Sequence, residues 1–183
     1  MAENQSTETV LETPWFGIER EYCDNVRSLK GEPFYRLLIP DGVMVLAITG
    51  DDEIVMVKQF RPALNQTTME FPAGYVEKDE NPRDAAIREL YEETGFRCDD
   101  MRPLGPGRVM MSRCNAVQHS FVGMGATLDS GFRPQEDIEV VLKPPSKLPK
   151  LFSAGEFQSL SGFGLLTLAA LKYDIRLMDD GNI

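Results

Sequence analysis

Short apolar runs separated by turn residues dominate this chain, and their length and β-branched content predict strands. Residues 34–39 (FYRLLI) form one such run, and Pro40-Asp41-Gly42 behind it supplies turn chemistry. Residues 43–49 and 53–60 (EIVMVKQF) flank Gly50-Asp51-Asp52, which predicts a β-hairpin. Further strands are expected at 108–111, 117–124 and 137–143, the first two around an irregular Ser112-Arg113-Cys114-Asn115 loop. Two stretches carry helical signals instead. Asn81 is an N-cap followed by proline, Asp84 favours the first turn, and Gly95 ends the helix. Residues 160–173 (LSGFGLLTLAALKY) have helical length and an apolar face, while Pro144, Pro145 and Pro149 interrupt regular structure before them.

With 183 residues, 42% of them hydrophobic, the chain has enough material for one buried core. No repeat or linker divides it, so the reading is a polar, flexible tail over 1–13 and a single domain over 14–183. Lys and Arg number 19 against 29 Asp and Glu, a net charge of −10. That argues against coating nucleic acid, which needs positive charge on the phosphates, but it is compatible with a nucleotide held through a metal ion. Cys23, Cys98 and Cys114 lack the paired spacing of a zinc site or disulfide framework and read as inert thiols in a reducing compartment. No run approaches the roughly 18 apolar residues of a membrane span, and the first residues lack a charged-then-apolar signal pattern. A cytoplasmic location without a membrane or nucleic-acid partner is therefore expected.

The first helix carries the candidate chemistry. Glu89, Glu92 and Glu93 stand at i, i+3 and i+4 and share one face, while Ala86 and Leu90 occupy a neighbouring face suited to packing. Like charges four apart cost a few tenths of a kcal/mol. A solvated acidic face with Arg88 and Lys78 nearby is one way to neutralise them. A divalent cation is the other, and hard oxygen ligands select Mg²⁺ or Mn²⁺, ions that also bind substrate phosphates.

The wider pattern favours the cation. Gly74, Glu80, Arg88, Glu89, Leu90, Glu92, Glu93, Gly95 and Phe96 follow G-x5-E-x7-R-E-U-x-E-E-x-G-U, where U is a bulky apolar residue. This run resembles a complete Nudix box. Its specified positions, at about one in sixteen each, coincide by chance on the order of once in 10⁸ windows. The resemblance implies an α/β fold of the Nudix type, an α/β/α sandwich with a mixed β-sheet. It also implies Mg²⁺- or Mn²⁺-dependent hydrolysis of a nucleoside diphosphate linked to another moiety, by attack of a metal-activated water on phosphorus. By family match, Glu89 and Glu93 are the principal metal ligands, Glu92 stands beside them and the Ala73 carbonyl is an extra ligand. Arg88 orients Glu89 or supports the loop, and Glu80 braces the junction of loop and helix.

The segments Gln59-Phe60-Arg61-Pro62 and Glu70-Phe71-Pro72-Ala73-Gly74 are similar to the ADP-ribose and ADP-sugar pyrophosphatase branch. Arg61 then contacts the diphosphate or a ribose, with a surface salt bridge as its alternative, and Glu70 accepts hydrogen bonds from substrate hydroxyls. Glu136 is expected as a third metal ligand and catalytic carboxylate. The branch commonly places a second glutamate two positions earlier as general base, where this chain has Pro134, so Asp137, Glu139, a box glutamate or Glu136 itself must serve. A Ser-Pro-Gly run common in the branch is replaced by Ser112-Arg113-Cys114, which makes Arg113 and Asn115 candidate substrate-binding residues. His119 reads as a packed strand histidine.

The leading expectation is cleavage of ADP-ribose or a related nucleotide sugar to a nucleoside monophosphate and a sugar phosphate. The alternatives are a dinucleotide or nucleoside triphosphate pyrophosphohydrolase, or a non-catalytic Nudix sensor that binds nucleotide sugars. Analogy with the branch implies a homodimer.

Overall fold

The computed structural model describes residues 7–23, 26, 29–133, 136–175 and 177. Strands β1 (Glu8–Glu12), β2 (Gly17–Tyr22) and β3 (Pro33–Leu38) form a small antiparallel sheet in that order. A second sheet contains β4 (Gly42–Thr49), β5 (Ile54–Arg61), β6 (Gln66–Glu70), β7 (Ala73–Tyr75), β8 (Phe96–Arg97), β9 (Asp100–Gly107), β10 (Gln118–Leu128) and β11 (Ile138–Lys143). The helices are α1 (Pro82–Thr94), α2 (Leu148–Ser153) and α3 (Leu160–Tyr173).

The large sheet runs β11-β5-β4-β10-β8, with β6 added beside β5, β7 beside β4 and β9 beside β10. Among the described strands of this sheet only β4 and β10 pair in parallel, so the sheet is mixed, as expected. Its central strand explains the layering. Val43, Val45 and Ala47 join the cluster that holds Ala85, Ala86 and Leu90 of α1, while Met44, Leu46 and Ile48 join the cluster of Leu165, Leu166 and Ala169 of α3. Strand residues alternate faces, so a strand apolar at every position requires a cover on both sides. The result is the expected α/β/α sandwich, each fully buried aliphatic side chain contributing about 1.5–3 kcal/mol.

Two sequence expectations differ from the structure. The strand expected at 108–111 lies earlier, at Asp100–Gly107. Pro103, Gly105 and Pro106 disguise it, and they are tolerated because β9 pairs only with β10; Gly105, at φ 126°, sits where the register shifts. Residues Glu8–Glu12, expected within a flexible tail, form β1 although all five are exposed. Backbone pairing with β2 and the Arg20–Glu8 ion pair order a segment with no apolar core of its own. The short strands β6, β7 and β8 and the helix α2, entered through Pro149, fall below the length at which periodicity is readable.

Arg113 joins the small sheet to the body. Its carbonyl accepts the Leu37 N–H at 2.7 Å, and its guanidinium lies 4.4 Å from the Phe34 ring centroid. None of Cys23, Cys98 and Cys114 is in a disulfide, and burial pushes the Cys98 thiol up, in keeping with an inert group. No helix among the described residues is long and apolar enough to cross a membrane.

Candidate active site

Helix α1 begins and ends as its sequence dictates. The Asn81 side chain accepts the Arg83 N–H at 2.9 Å, Pro82 opens the first turn, and Gly95 turns left-handed at φ 73°. A side chain at Gly95 would also strike Phe132 at 2.3 Å. With Ala85, Ala86 and Leu90 buried in the sheet, the arginine and glutamates line up beside β7.

The box closes on itself at Gly74. A Cβ there would fall 2.0 Å from the Glu89 carboxyl carbon, so only glycine lets the carboxylate lie against the strand. One residue earlier, the Ala73 N–H donates to Glu93 Oε2 at 3.0 Å. Glu93 is 9% exposed, and its carboxyl is pushed up to about 7. Burial is the largest cause; the Ala73 N–H opposes it, and the Glu89 charge adds to it.

Arg88 is the hub of this corner. Its Nε and Nη2 donate to the two Glu80 oxygens at 2.9 and 2.8 Å. Nη1 donates to Glu89 at 2.8 Å and Glu92 at 3.0 Å, and Nη2 reaches the Tyr75 carbonyl at 2.9 Å. The Arg88 hydrogen bonds, followed by the Glu77 N–H, lower the Glu80 carboxyl to about 2. Arg88 thus hydrogen-bonds both Glu89 and, in Glu80, the loop that precedes the helix.

Among the described residues, no three His, Cys, Asp or Glu side chains gather at metal-holding spacing. Arg88 stands as counter-charge to Glu89 and Glu92 instead. The donor chemistry nevertheless fits a hard divalent ion: a buried Glu93 carboxyl, a Glu89 carboxyl pressed on Gly74, and the adjacent Ala73 peptide are all oxygen donors.

Arg61 and Glu70 meet each other. Nε and Nη2 of Arg61 donate to the two Glu70 oxygens at 2.8 and 2.7 Å, and the Thr68 hydroxyl, which sequence reading missed, also donates to Glu70. The Arg61 hydrogen bonds outweigh burial and lower the Glu70 carboxyl. Arg61 remains 40% exposed and borders a cavity of about 240 Å³ that also touches Gly74, Tyr75, Val109, Cys114 and Gln118.

The remaining candidates lie further out. Arg113 packs on β3, its Nη1 donating to the Tyr35 carbonyl at 3.3 Å, and neither it nor Asn115 lines that cavity. Asn115 is exposed and contributes its carbonyl to Arg108. Glu136 is exposed just before β11, whose pairing of Ile138 with Gln59 directs it toward the Arg61 end of β5. Glu139 pairs with Lys58 at 3.0 Å. His119 is a strand residue beside Asp41 at 3.2 Å, and Asp41 also accepts the Val117 N–H. Pro134 lies outside the described residues. Tyr75, Thr68 and Gln118 carried no readable signal, since a single polar residue in a strand acquires a role only from what folds beside it.

Comparison with known proteins bears on this geometry. The family model of the NUDIX domain matches residues 38–159. A methanol dehydrogenase activator from Bacillus methanolicus is 38% identical over 104 residues, covering 56% of this chain and 56% of that protein. An ADP-ribose pyrophosphatase from Bacillus subtilis is 46% identical over 77 residues, covering 41% of this chain and 42% of the other. The chain thus spans about half the length of these curated relatives. A crystal structure of an ADP compounds hydrolase superposes with a TM-score of 0.74 at 23% identity, covering 93% of this chain and 94% of that one, which is a likeness of fold.

Proposed function

The chain belongs to the Nudix family, and from that premise we propose that it is a metal-dependent pyrophosphohydrolase of nucleoside diphosphate sugars, with ADP-ribose the first substrate to test. Its products are a nucleoside monophosphate and a sugar phosphate. The observation that carries this reading is the pair of box carboxylates against β7: Glu93 buried on the Ala73 N–H, and Glu89 filling the space that Gly74 leaves open. The B. subtilis relative, by its name an ADP-ribose pyrophosphatase, supports the substrate class.

Glu89, Glu93 and the Ala73 carbonyl would hold Mg²⁺ or Mn²⁺, with Glu92 beside them and Glu136 as the further carboxylate. Such an ion supplies a water of lowered pKa and neutralises charge on the diphosphate. Arg88 fixes the direction of Glu89. Arg61, preorganised by Glu70, has exposed guanidinium surface for a phosphate or ribose oxygen. Glu139 is engaged with Lys58, which favours Glu136 or a box glutamate as general base. Arg113 and Asn115 bear on the substrate indirectly, by holding the loop that walls the cavity.

Trp15, 70% exposed, and the exposed Val10, Leu11, Phe16 and Tyr35 lie on or beside the small sheet, and an apolar surface of that kind supports a homodimer. Light scattering checks it: a monomer at micromolar concentration overturns it. Cytoplasmic location belongs to the same reading.

The decisive experiment measures phosphate products from ADP-ribose, other sugar nucleotides, dinucleotides and triphosphates with Mg²⁺, beside a Glu93→Gln variant. Sugar nucleotides are expected to be cleaved and the variant to be inactive. Preferred cleavage of dinucleotides or triphosphates replaces the substrate class. Binding without cleavage of any of them makes the chain a nucleotide-sugar sensor.

A further inference from the structure

The connection from β10 to β11 starts with a clasp on the end of α1. Asp129 follows β10 directly, and its N–H donates to the Gly95 carbonyl at 3.0 Å. Asp129 Oδ1 accepts the Gly131 N–H at 2.8 Å, and the Asp129 carbonyl accepts the Phe132 N–H at 3.0 Å, which closes a tight turn. Asp129 Oδ2 accepts from Nε and Nη2 of Arg97 at 3.2 and 3.0 Å and from the Tyr91 hydroxyl at 3.3 Å. The Arg97 guanidinium in turn lies 4.0 Å from the Tyr91 ring centroid.

The turn delivers Phe132 onto Gly95. Its ring meets Tyr91 edge to face, with centroids 5.6 Å apart. The left-handed φ of a helix cap tolerates asparagine as well as glycine, but a Cβ at position 95 would fall 2.3 Å from the Phe132 ring, so the seated ring admits only glycine. The last glycine of the box is therefore both a cap and a seat. Ser130, Gly131 and Arg133 are exposed, so the clasp adds little to the core. It acts on the direction that the chain takes next.

That direction leads to Glu136. Tyr91 and Gly95 flank Glu92 and Glu93 at the end of α1, while Phe132 stands four residues before Glu136. Two residues after Glu136, the pairing of Ile138 with Gln59 fixes the chain to β5. Chain reach confines the Glu136 Cα to about 14 Å from that of Phe132 and about 7 Å from that of Ile138. Connections between elements are ordinarily the least constrained part of a fold; this one is fixed on both sides of its carboxylate.

We infer that Phe132, seated on Gly95, and Asp129, bound by Arg97 and Tyr91, are positioning residues that tie the chain presenting Glu136 to the helix end presenting Glu92 and Glu93. This rests on the reading of Glu136 as the further carboxylate of a hydrolase. The clasp acts only through Glu136, by holding it in register with the box.

The test combines kinetics with Mg²⁺ on the preferred substrate of the panel with amide hydrogen exchange over residues 129–138 of the metal-free protein. Phe132→Ala is expected to lower kcat by about 10–100-fold, the usual cost of a lost orienting partner, while KM stays within about twofold because substrate binding is untouched. Exchange over 129–138 is expected to quicken. Arg97→Gln alters an exposed side chain, which keeps the fold, and loosens the clasp from its far side, with a smaller loss of kcat and the same direction of exchange. In a Glu136→Gln background, Phe132→Ala is expected to cost nothing more, because residues that act through one group are not additive. Losses that multiply overturn the assignment, as do an unchanged kcat in Phe132→Ala or full turnover by Glu136→Gln. A wild type that cleaves nothing defeats the hydrolase reading instead. Exchange then decides the clasp: quicker exchange in both variants keeps it as the anchor of this connection, and unchanged exchange overturns it.

Discussion

The corner where α1 meets β7 and the cavity where β10 meets α3 handle polar groups in opposite ways. At the corner, five glutamate oxygens and carbonyls converge on one guanidinium, and even the buried Glu93 finds a backbone donor. At the cavity, Gln118 Nε2 lies buried without a hydrogen-bond partner. The first region is complete within the chain and strained only in charge, since acidic groups outnumber the arginine. The second is neutral and strained in hydrogen bonding. One sets charge against charge, and the other leaves a buried amide nitrogen without a partner.

The largest effect expected from breaking this contrast is that of Glu93→Gln. Removing the charge while keeping the hydrogen bond to Ala73 lowers turnover on the order of 10³-fold, as loss of a group stabilising transition-state charge does. Steady-state hydrolysis of ADP-ribose with Mg²⁺ checks it.

Next comes a pH effect in the absence of divalent metal. Burial holds the Glu93 proton up to about pH 7 in the folded protein, above the ordinary 4.5. Between those values the unfolded chain has released its proton and the folded one has not, so stability falls as pH rises through the window, by at most about 3 kcal/mol. Denaturant unfolding from pH 4.5 to 8 measures the slope. Glu93→Gln is expected to flatten it, and an unchanged slope in that variant would assign the titration to another group.

Arg88→Ala ranks third. It removes the partner of Glu80, Glu89 and Glu92 at once, and loss of a group that orients metal ligands costs about 10–100-fold in metal affinity or activity. Arg88→Lys recovers little, because one ammonium cannot reproduce the forked contacts to Glu80 and the Tyr75 carbonyl. Mg²⁺ titration of activity distinguishes lost metal affinity from lost turnover.

The smallest effect belongs to Arg113→Ala. Losing the contact with Phe34 weakens the junction to the small sheet by about 0.5–1 kcal/mol. The order of preferred substrates does not change, because the side chain packs away from the Arg61 cavity. A reordered substrate panel would return Arg113 to direct recognition.

Much of this molecule was legible before any fold was known. Helix α1 could be read to its caps, because Asn81, Pro82 and Gly95 act through local backbone geometry. The β4–β5 hairpin was readable for the same reason, from Gly50-Asp51-Asp52 between apolar runs. Strand β9 was not, because its prolines are permitted only by an edge position that other strands create. Nor was β1, whose order depends on a partner strand and not on its own residues.

The site divides along the same line. Sequence alone determined that Glu89, Glu92 and Glu93 share a helix face, that Arg88 lies among them, and that Gly74 and Glu80 precede them at a fixed interval. Those are consequences of helical period and spacing within one continuous segment. Only the tertiary structure decided that Arg61 and Glu70 would clasp each other, that Arg113 would turn to Phe34, and that Gln118 Nε2 would be buried without a partner. Each of those depends on which strands lie side by side, a matter of long-range packing that no local pattern encodes.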